Sequence, residues 1–170
     1  MNKTFFIGER FEEFVVDSIH SELDTEHYIC QNVSLYSNSL KRTTQIDILV
    51  VTPIRIYCIE AKRFRTRLKG SVNDVMWTGN SGTYYTKIFN PVLQNTEHIR
   101  CLKREMRRLG CVTPKIENIV CVPNGCEVNT DVSNVITLGT LISVMENDLI
   151  KNPSKVQVNK IAEILKRINE

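Results

Sequence analysis

No stretch of this chain approaches the run of about 18 apolar residues that reads as a membrane span. Its N-terminal MNKTFFIGERFEEF also lacks the continuous apolar core of a secretory signal. Together these absences predict an unexported, cytoplasmic protein. Neither G-x-x-x-x-G-K-[ST] nor G-x-G-x-x-G occurs, which removes the loops that cradle phosphates in nucleotide-binding enzymes. C-x-x-C is missing too, and Cys121 to Cys126 has no matching second pair, so a zinc site is not expected. The six cysteines are better read as reduced thiols, because Cys58, Cys101 and Cys121 fall inside apolar periodic segments where free cysteine behaves as a small hydrophobe. Low-complexity tracts and internal repeats are absent. Net charge is small, +3, and does not by itself announce a nucleic-acid partner.

What is present is an ordinary globular composition, 42% hydrophobic and 24% charged over 170 residues, which predicts one domain over 1–170. Phe11, Val15 and Ile19 recur at helical spacing and predict a helix over 8–23. A strand is expected at 28–35, then a hairpin of 46–51 and 54–59 about Thr52-Pro53, and a second hairpin of 72–77 and 83–89. Asn90-Pro91 reads as a cap and first helical residue, opening a helix that carries Ile99, Leu102, Met106 and Leu109 and stops at Gly110. Short strands at 116–122 and 135–138 follow, then helices over 141–149 and from Ser154 onward, the latter burying Val158, Ile161, Leu165 and Ile168. This order predicts an α/β fold, a mixed central sheet flanked by helices. The C-terminal helices of 140–170 are expected to belong to the same domain.

One stretch carries chemistry. Gln-Ile-Asp-Ile-Leu-Val-Val, residues 45–51, places Asp47 within an apolar strand, and the next strand ends in Glu60-Ala61-Lys62. A buried carboxylate without a partner is costly. A hairpin centred on Thr52-Pro53 pairs Asp47 with Cys58 and Gln45 with Glu60, so Gln45, Asp47, Glu60 and Lys62 share a face. Asp47 and Glu60 become diagonal neighbours with Cα atoms roughly 7–8 Å apart. Two carboxylates so placed suit a hard divalent cation, Mg²⁺ or Mn²⁺, with a backbone carbonyl and waters completing its shell. Lys62 adds a positive charge where an attacking water or a developing phosphate charge would lie. The chemistry that uses all three is metal-assisted phosphodiester hydrolysis. The plainer reading is a loop-capping aspartate beside an ordinary strand-end ion pair.

Four patches, in order, resemble the nuclease-related domain (NERD) family of the restriction-endonuclease-like PD-(D/E)xK superfamily. They are Gly8-Glu9-Arg10-Phe11-Glu12, Gln45-Ile46-Asp47, Ile59-Glu60-Ala61-Lys62, and Asn90-Pro91-Val92-Leu93-Gln94 with His98 beyond. Trp77 falls between the last two. The likeness is strongest over 5–125. It implies a restriction-endonuclease-like fold, metal held by Asp47, Glu60 and the Ala61 carbonyl, Lys62 as the charge-stabilising residue, and DNA as substrate. The helical wheel turns Glu12 toward the sheet and Glu13 toward water, and Glu12 matches the family's helix glutamate, a further candidate metal contact. Gln94 and His98 share a helix face, and could orient phosphate or water or simply pack on the sheet. Trp77 reads as core.

Positive charge concentrates in Arg63, Arg65, Arg67 and Lys69 and in the 100–108 helix, with Arg100 and Arg104, as candidate phosphate contacts. Because members of the family are often fused to other domains, a partner in trans is also to be considered, such as a helicase or other DNA-processing protein, as is a homo-oligomer. The alternative function is a non-cleaving nucleic-acid-binding or adaptor module on a nuclease scaffold.

Overall fold

The structure, a computed structural model, describes residues 3–151 and 156–169, with side chains from residue 10 onward. Ser154, where the last helix is expected to begin, and the side chain of Glu9 lie outside the described residues. The elements are α1 (Lys3–Glu22), β1 (Tyr28–Ser37), β2 (Arg42–Val51), β3 (Ile56–Ala61), β4 (Arg67–Gly70), β5 (Met76–Ser81), β6 (Tyr84–Phe89), α2 (Pro91–Arg108), β7 (Ile116–Val122), β8 (Glu127–Thr130), β9 (Val135–Thr137), α3 (Leu138–Lys151) and α4 (Val158–Asn169). This is an α/β fold. Where one mixed sheet was expected, the strands form two. A five-stranded sheet runs β1-β2-β3-β7-β9, and a four-stranded sheet runs β6-β5-β4-β8.

In the larger sheet β1, β2 and β3 are antiparallel, while β3, β7 and β9 are parallel. Each face is covered by two helices. Phe11, Val15 and Ile19 of α1 and Leu141 and Met145 of α3 pack on Ile48, Val50, Tyr57 and Ile59. On the other face Ile99, Leu102 and Met106 of α2 and Ile161 and Leu165 of α4 pack on Leu49, Val51, Ile56 and Cys58. The smaller sheet closes a third core around Leu68, Trp77, Val120 and Val122. Trp77 is 1% exposed, in the core as expected. All six thiols are unpaired, and five of them are buried.

Both ends of α2 follow their local signals. The Asn90 side chain accepts from the Val92 amide at 2.9 Å and the Leu93 amide at 3.3 Å, and Pro91 occupies the first turn, where no amide is needed. At the far end Gly110 takes φ 74°. Its amide donates to Arg107 O and that of Cys111 to Met106 O, both at 2.9 Å, the pair of reversed bonds that a left-handed glycine permits.

Two hairpins differ from expectation in their details. The first turn centres on Pro53-Ile54, since the Thr52 amide donates to Arg55 O at 3.0 Å. Proline, with its fixed φ, belongs at the second position of a β-turn and not the third. The pairing therefore shifts by two residues, to Val51↔Ile56, Leu49↔Cys58 and Ile48↔Ile59. In the second hairpin Asn80 and Ser81 continue the ladder opposite Tyr85 and Tyr84, and the reversal waits for Gly82 at φ 81°.

Candidate active site

A two-residue shift preserves the faces, because side chains alternate with a period of two. Continued one step beyond Ile48↔Ile59, the observed register places Asp47 directly opposite Glu60, closer than the diagonal expected from sequence. In an antiparallel ladder hydrogen-bonded and non-hydrogen-bonded pairs alternate. Counting from Thr52 and Arg55, the Asp47–Glu60 pair is non-hydrogen-bonded, a type whose Cα atoms lie about 4.5 Å apart. The next bonded pair would be Ile46 with Ala61. There the ladder fails, and the Ala61 amide donates to Asp47 Oδ2 at 2.8 Å.

The reason is a twist. Ile46 packs in the same core cluster as Leu49 and Val51, while Ile48 and Val50 pack in the opposite one, so alternation breaks between 46 and 49. Across from it Cys30 shares a cluster with Val33 and Leu35, and Asn32 between them has φ 57°, a conformation that asparagine tolerates better than most residues. The register is Gln31↔Ile48 before the break and Val33↔Ile46 after it, so no residue is inserted. Asp47 therefore stands where β2 turns out of the ladder with β3, and its carboxylate takes the place of a backbone carbonyl. Gln45, exposed opposite Ser34, lies beyond this break, where parity no longer carries it to the site.

Glu60 is 1% exposed. Lys62 Nζ stands 2.5 Å from Glu60 Oε1, and His98 Nδ1 lies 3.5 Å from Oε2. Among the described residues Glu60 Oε2 and both His98 ring nitrogens lack a hydrogen bond of acceptable geometry, and Oε1 has only its contact with Lys62. Burial, with the Asp47 charge adding to it, pushes the Glu60 carboxyl up to about 8 despite Lys62. Asp47 is likewise raised by burial, against the Ala61 bond and the Lys62 charge. His98 is lowered to about 4, by burial first and then by Lys62. At neutral pH the contact between His98 and Glu60 thus joins an uncharged imidazole to a largely protonated carboxyl, and is not an ion pair.

Asn95 holds His98 in place. This residue, wholly buried on α2, donates to Cys58 O at 2.7 Å, to Ile119 O at 3.1 Å and to Asn118 Oδ1 at 2.9 Å. It pins α2 across β3 and β7, three residues before His98. Sequence reasoning passed over Asn95, although its spacing to Ile99, Leu102 and Met106 put an amide in the buried stripe, and a buried amide needs partners. Gln94 is half-buried and makes no side-chain hydrogen bond among the described residues. Of the two polar side chains on that face, only His98 reaches Glu60.

Glu12 is half-buried and Glu13 exposed, as the wheel predicts. Although α1 covers the opposite face, the Glu12 charge is near enough to help raise Glu60. Both glutamates line a small recess with Gln31 and Asn32, at the twist in β1.

The basic residues divide. Arg65 is exposed and Arg63 half-buried on the segment joining β3 to β4. Arg67 and Lys69 point outward from β4 on either side of buried Leu68, and Arg67 pairs with Glu127 at 2.8 Å. On α2, Arg100 is held by Glu97 at 2.6 Å, while Arg104 is held by Glu105 at 2.9 Å and by Tyr36 O. These two guanidiniums are already committed to protein oxygens.

Comparison with known proteins places the chain in a family. The family model described as the nuclease-related domain matches residues 7–123, more than half of the chain and all of the Asp47, Glu60 and Lys62 cluster. The chain belongs to the nuclease-related domain family. The general placement of that family is the PD-(D/E)xK superfamily. An uncharacterized protein of Bacillus anthracis is 24% identical over 159 residues, which make up 92% of this chain and 74% of that protein. Among the described residues of this nuclease-related domain no helix is long and apolar enough to cross a membrane. Among them, too, no three His, Cys, Asp or Glu side chains cluster as a metal cage. Asp47 and Glu60 offer oxygen alone, not the nitrogen and sulfur donors typical of zinc. That set suits a hard cation that needs only one or two carboxylates and otherwise takes carbonyls and water. Buried Glu60, with one oxygen held only by Lys62 and the other without a hydrogen bond among the described residues, stands opposite a second carboxylate and fits such an ion.

Proposed function

We propose that this nuclease-related domain hydrolyses phosphodiester bonds of DNA with Mg²⁺ or Mn²⁺. The observation that carries the reading is buried Glu60, opposite Asp47, with Oε1 held by Lys62 and Oε2 without a hydrogen bond among the described residues. Asp47, Glu60 and the Ala61 carbonyl would hold the ion, with Glu12 reaching it directly or through water. When bound, the ion would lower the pKa of a water ligand and offset charge on the scissile phosphate.

The protein's own groups do the rest. Asp47 is oriented by the Ala61 amide, which fixes one carboxylate at the end of β3. Lys62 keeps a positive charge at the mouth of the site, placed to hold the attacking water and to stabilise charge growing on phosphate oxygen. His98, neutral and held behind Glu60 by the Asn95 anchor, fills the rear of the site with an uncharged ring and leaves the metal-facing charge to the carboxylates. Arg63, Arg65, Arg67 and Lys69, which begin immediately after Lys62, would bind the phosphate backbone without reading its sequence. Purified protein should nick supercoiled plasmid in Mg²⁺ or Mn²⁺ and cease on addition of EDTA. Binding without cleavage in either ion would instead assign it as a non-cleaving nucleic-acid-binding or adaptor module.

A further inference from the structure

The smaller sheet turns one face to its core and the other, apart from buried Asn80, to solvent. Leu68, Trp77 and Gly79 look inward, Leu68 and Trp77 into a core cluster and Gly79 against the Phe64 ring. By alternation Arg67, Lys69, Met76, Tyr85, Lys87 and Phe89 look outward. The register sets them in rows: Arg67↔Asn80↔Tyr85, then Lys69↔Thr78↔Lys87, then Met76↔Phe89. Tyr85 is 75% exposed, Phe89 47% and Met76 49%. In a chain only 7% aromatic, two rings stand on this face of one open edge strand with a lysine between them, and Tyr84, 79% exposed, stands on its other face.

Such an edge is ordinarily guarded by charge and kept free of large apolar groups, so packing alone does not account for the rings. Tyr85 and Phe89 are four residues apart on β6, about 13 Å at the rise of a strand. Lys69 and Lys87 flank Thr78 on the same row, about 10 Å apart across two strand spacings, and neither has a carboxylate partner among the described residues. The acid on this face, Glu127, is taken up by Arg67. Alternating rings and unneutralised cations on one surface match the needs of unpaired nucleotides, whose bases stack on aromatic faces while phosphates meet lysines. A duplex hides its base faces in its own stack, and offers these rings little. The same two lysines oppose a second copy of the chain docking face to face. The surface also leads from the catalytic strand: β3 runs through residues 62–66 into β4, and the Thr66 amide is tied to Asn80 O at 3.1 Å.

We infer that this outer face is a stacking platform for single-stranded DNA, so that the enzyme takes substrates with unpaired nucleotides beside the scissile phosphate. The inference deepens the nuclease reading and rests on it for the word substrate. The binding surface itself is tested without cleavage.

The experiment is fluorescence anisotropy in EDTA with a fluorescein-labelled 20-mer of oligodeoxythymidylate, compared with the same strand paired to oligodeoxyadenylate. The wild type should bind the single strand more tightly than the duplex. Tyr85→Ala and Phe89→Ala should each weaken single-strand binding roughly five- to a hundredfold, with duplex affinity nearly unchanged, whereas Tyr85→Phe should keep wild-type affinity. Lys69→Ala and Lys87→Ala should weaken binding and each reduce the salt slope by about 0.7. Equal affinity for both probes, or no loss in the Tyr85→Ala/Phe89→Ala double variant with an unchanged thermal midpoint, would overturn the platform. So would sedimentation showing a wild-type dimer that Tyr85→Ala converts to monomer. Intact single-strand preference with no plasmid nicking in either metal would overturn the nuclease reading alone.

Discussion

The Ala61 amide donates to Asp47 Oδ2 at 2.8 Å, in the position where the ladder would have offered the carbonyl of Ile46. One carboxylate thereby completes a strand edge and presents its charge to the site. Asp47→Asn retains an acceptor oxygen for that amide and should keep the fold, but lose metal-dependent cleavage. Asp47→Ala leaves the amide without its acceptor and should also cost stability, about 1–3 kcal/mol. Urea midpoints of the two variants, read beside plasmid nicking, separate the roles. An Asp47→Asn protein that cuts like wild type would remove the charge from the mechanism.

Glu60 makes the metal-free protein sensitive to alkali. Its carboxyl rises from the usual 4.5 to about 8 in the folded state, so the native chain holds a proton that the unfolded chain releases. That contribution to stability is full below 4.5 and is lost as pH rises through 8. His98 has the opposite sign, falling from 6.5 to about 4, so its contribution is full above 6.5 and is lost as pH falls through 4. The two slopes offset each other between about 4.5 and 6.5, where the thermal midpoint in EDTA should be flat, and it should drop by several degrees toward pH 8.5. Glu60→Gln should abolish the alkaline drop. Added Mg²⁺ should raise the wild-type midpoint more at pH 8 than at pH 6, and should not raise that of Glu60→Gln. A flat profile from pH 6.5 to 9 in EDTA would contradict the buried, protonated state of Glu60.

Lys62 is mostly buried, its side chain 21% exposed, so its stem packs while its ammonium meets Glu60. Lys62→Met keeps the aliphatic stem and should fold normally, but should reduce cleavage by at least a hundredfold, in line with loss of a charge-stabilising group. Single-strand affinity in EDTA should fall only slightly. Wild-type rates from a well-folded Lys62→Met would sink the assignment.

Glu12 and Glu13 are adjacent in sequence and opposite in exposure. Glu12→Gln should raise the Mn²⁺ concentration needed for half-maximal cleavage, about ten- to a hundredfold if it acts from the outer shell of the ion. Glu13→Gln should leave that concentration unchanged and alter stability by no more than about 0.5 kcal/mol. Titrating Mn²⁺ against nicking rate distinguishes them, and identical curves would take Glu12 out of the site.

The sequence by itself determined what depends on near neighbours. Helical spacing of Phe11, Val15 and Ile19 set the buried side of α1, and with it the contrast between Glu12 and Glu13. Asn90-Pro91 and Gly110 bounded α2 through bonds made within a few residues of each end. The nearness of Asp47 to Glu60 and Lys62 was legible because any tight hairpin at Thr52-Pro53 brings the end of β3 beside Asp47, and a slip of two does not undo that.

Only the tertiary structure decided the rest. The twist at Asn32 and Asp47 comes from two strands bending together, and it makes Asp47 a partner of Ala61 while detaching Gln45 from the parity argument. The small strands β4 and β8 were missed because each is only four residues long and becomes a strand by pairing with a distant one. The burial of Glu60, and hence its raised pKa, is imposed by α2 and β7 closing over β3. That closure is held by Asn95, whose partners lie more than twenty residues away in either direction. Local patterns can specify a helix or a face, but desolvation of a charge is a property of everything packed around it.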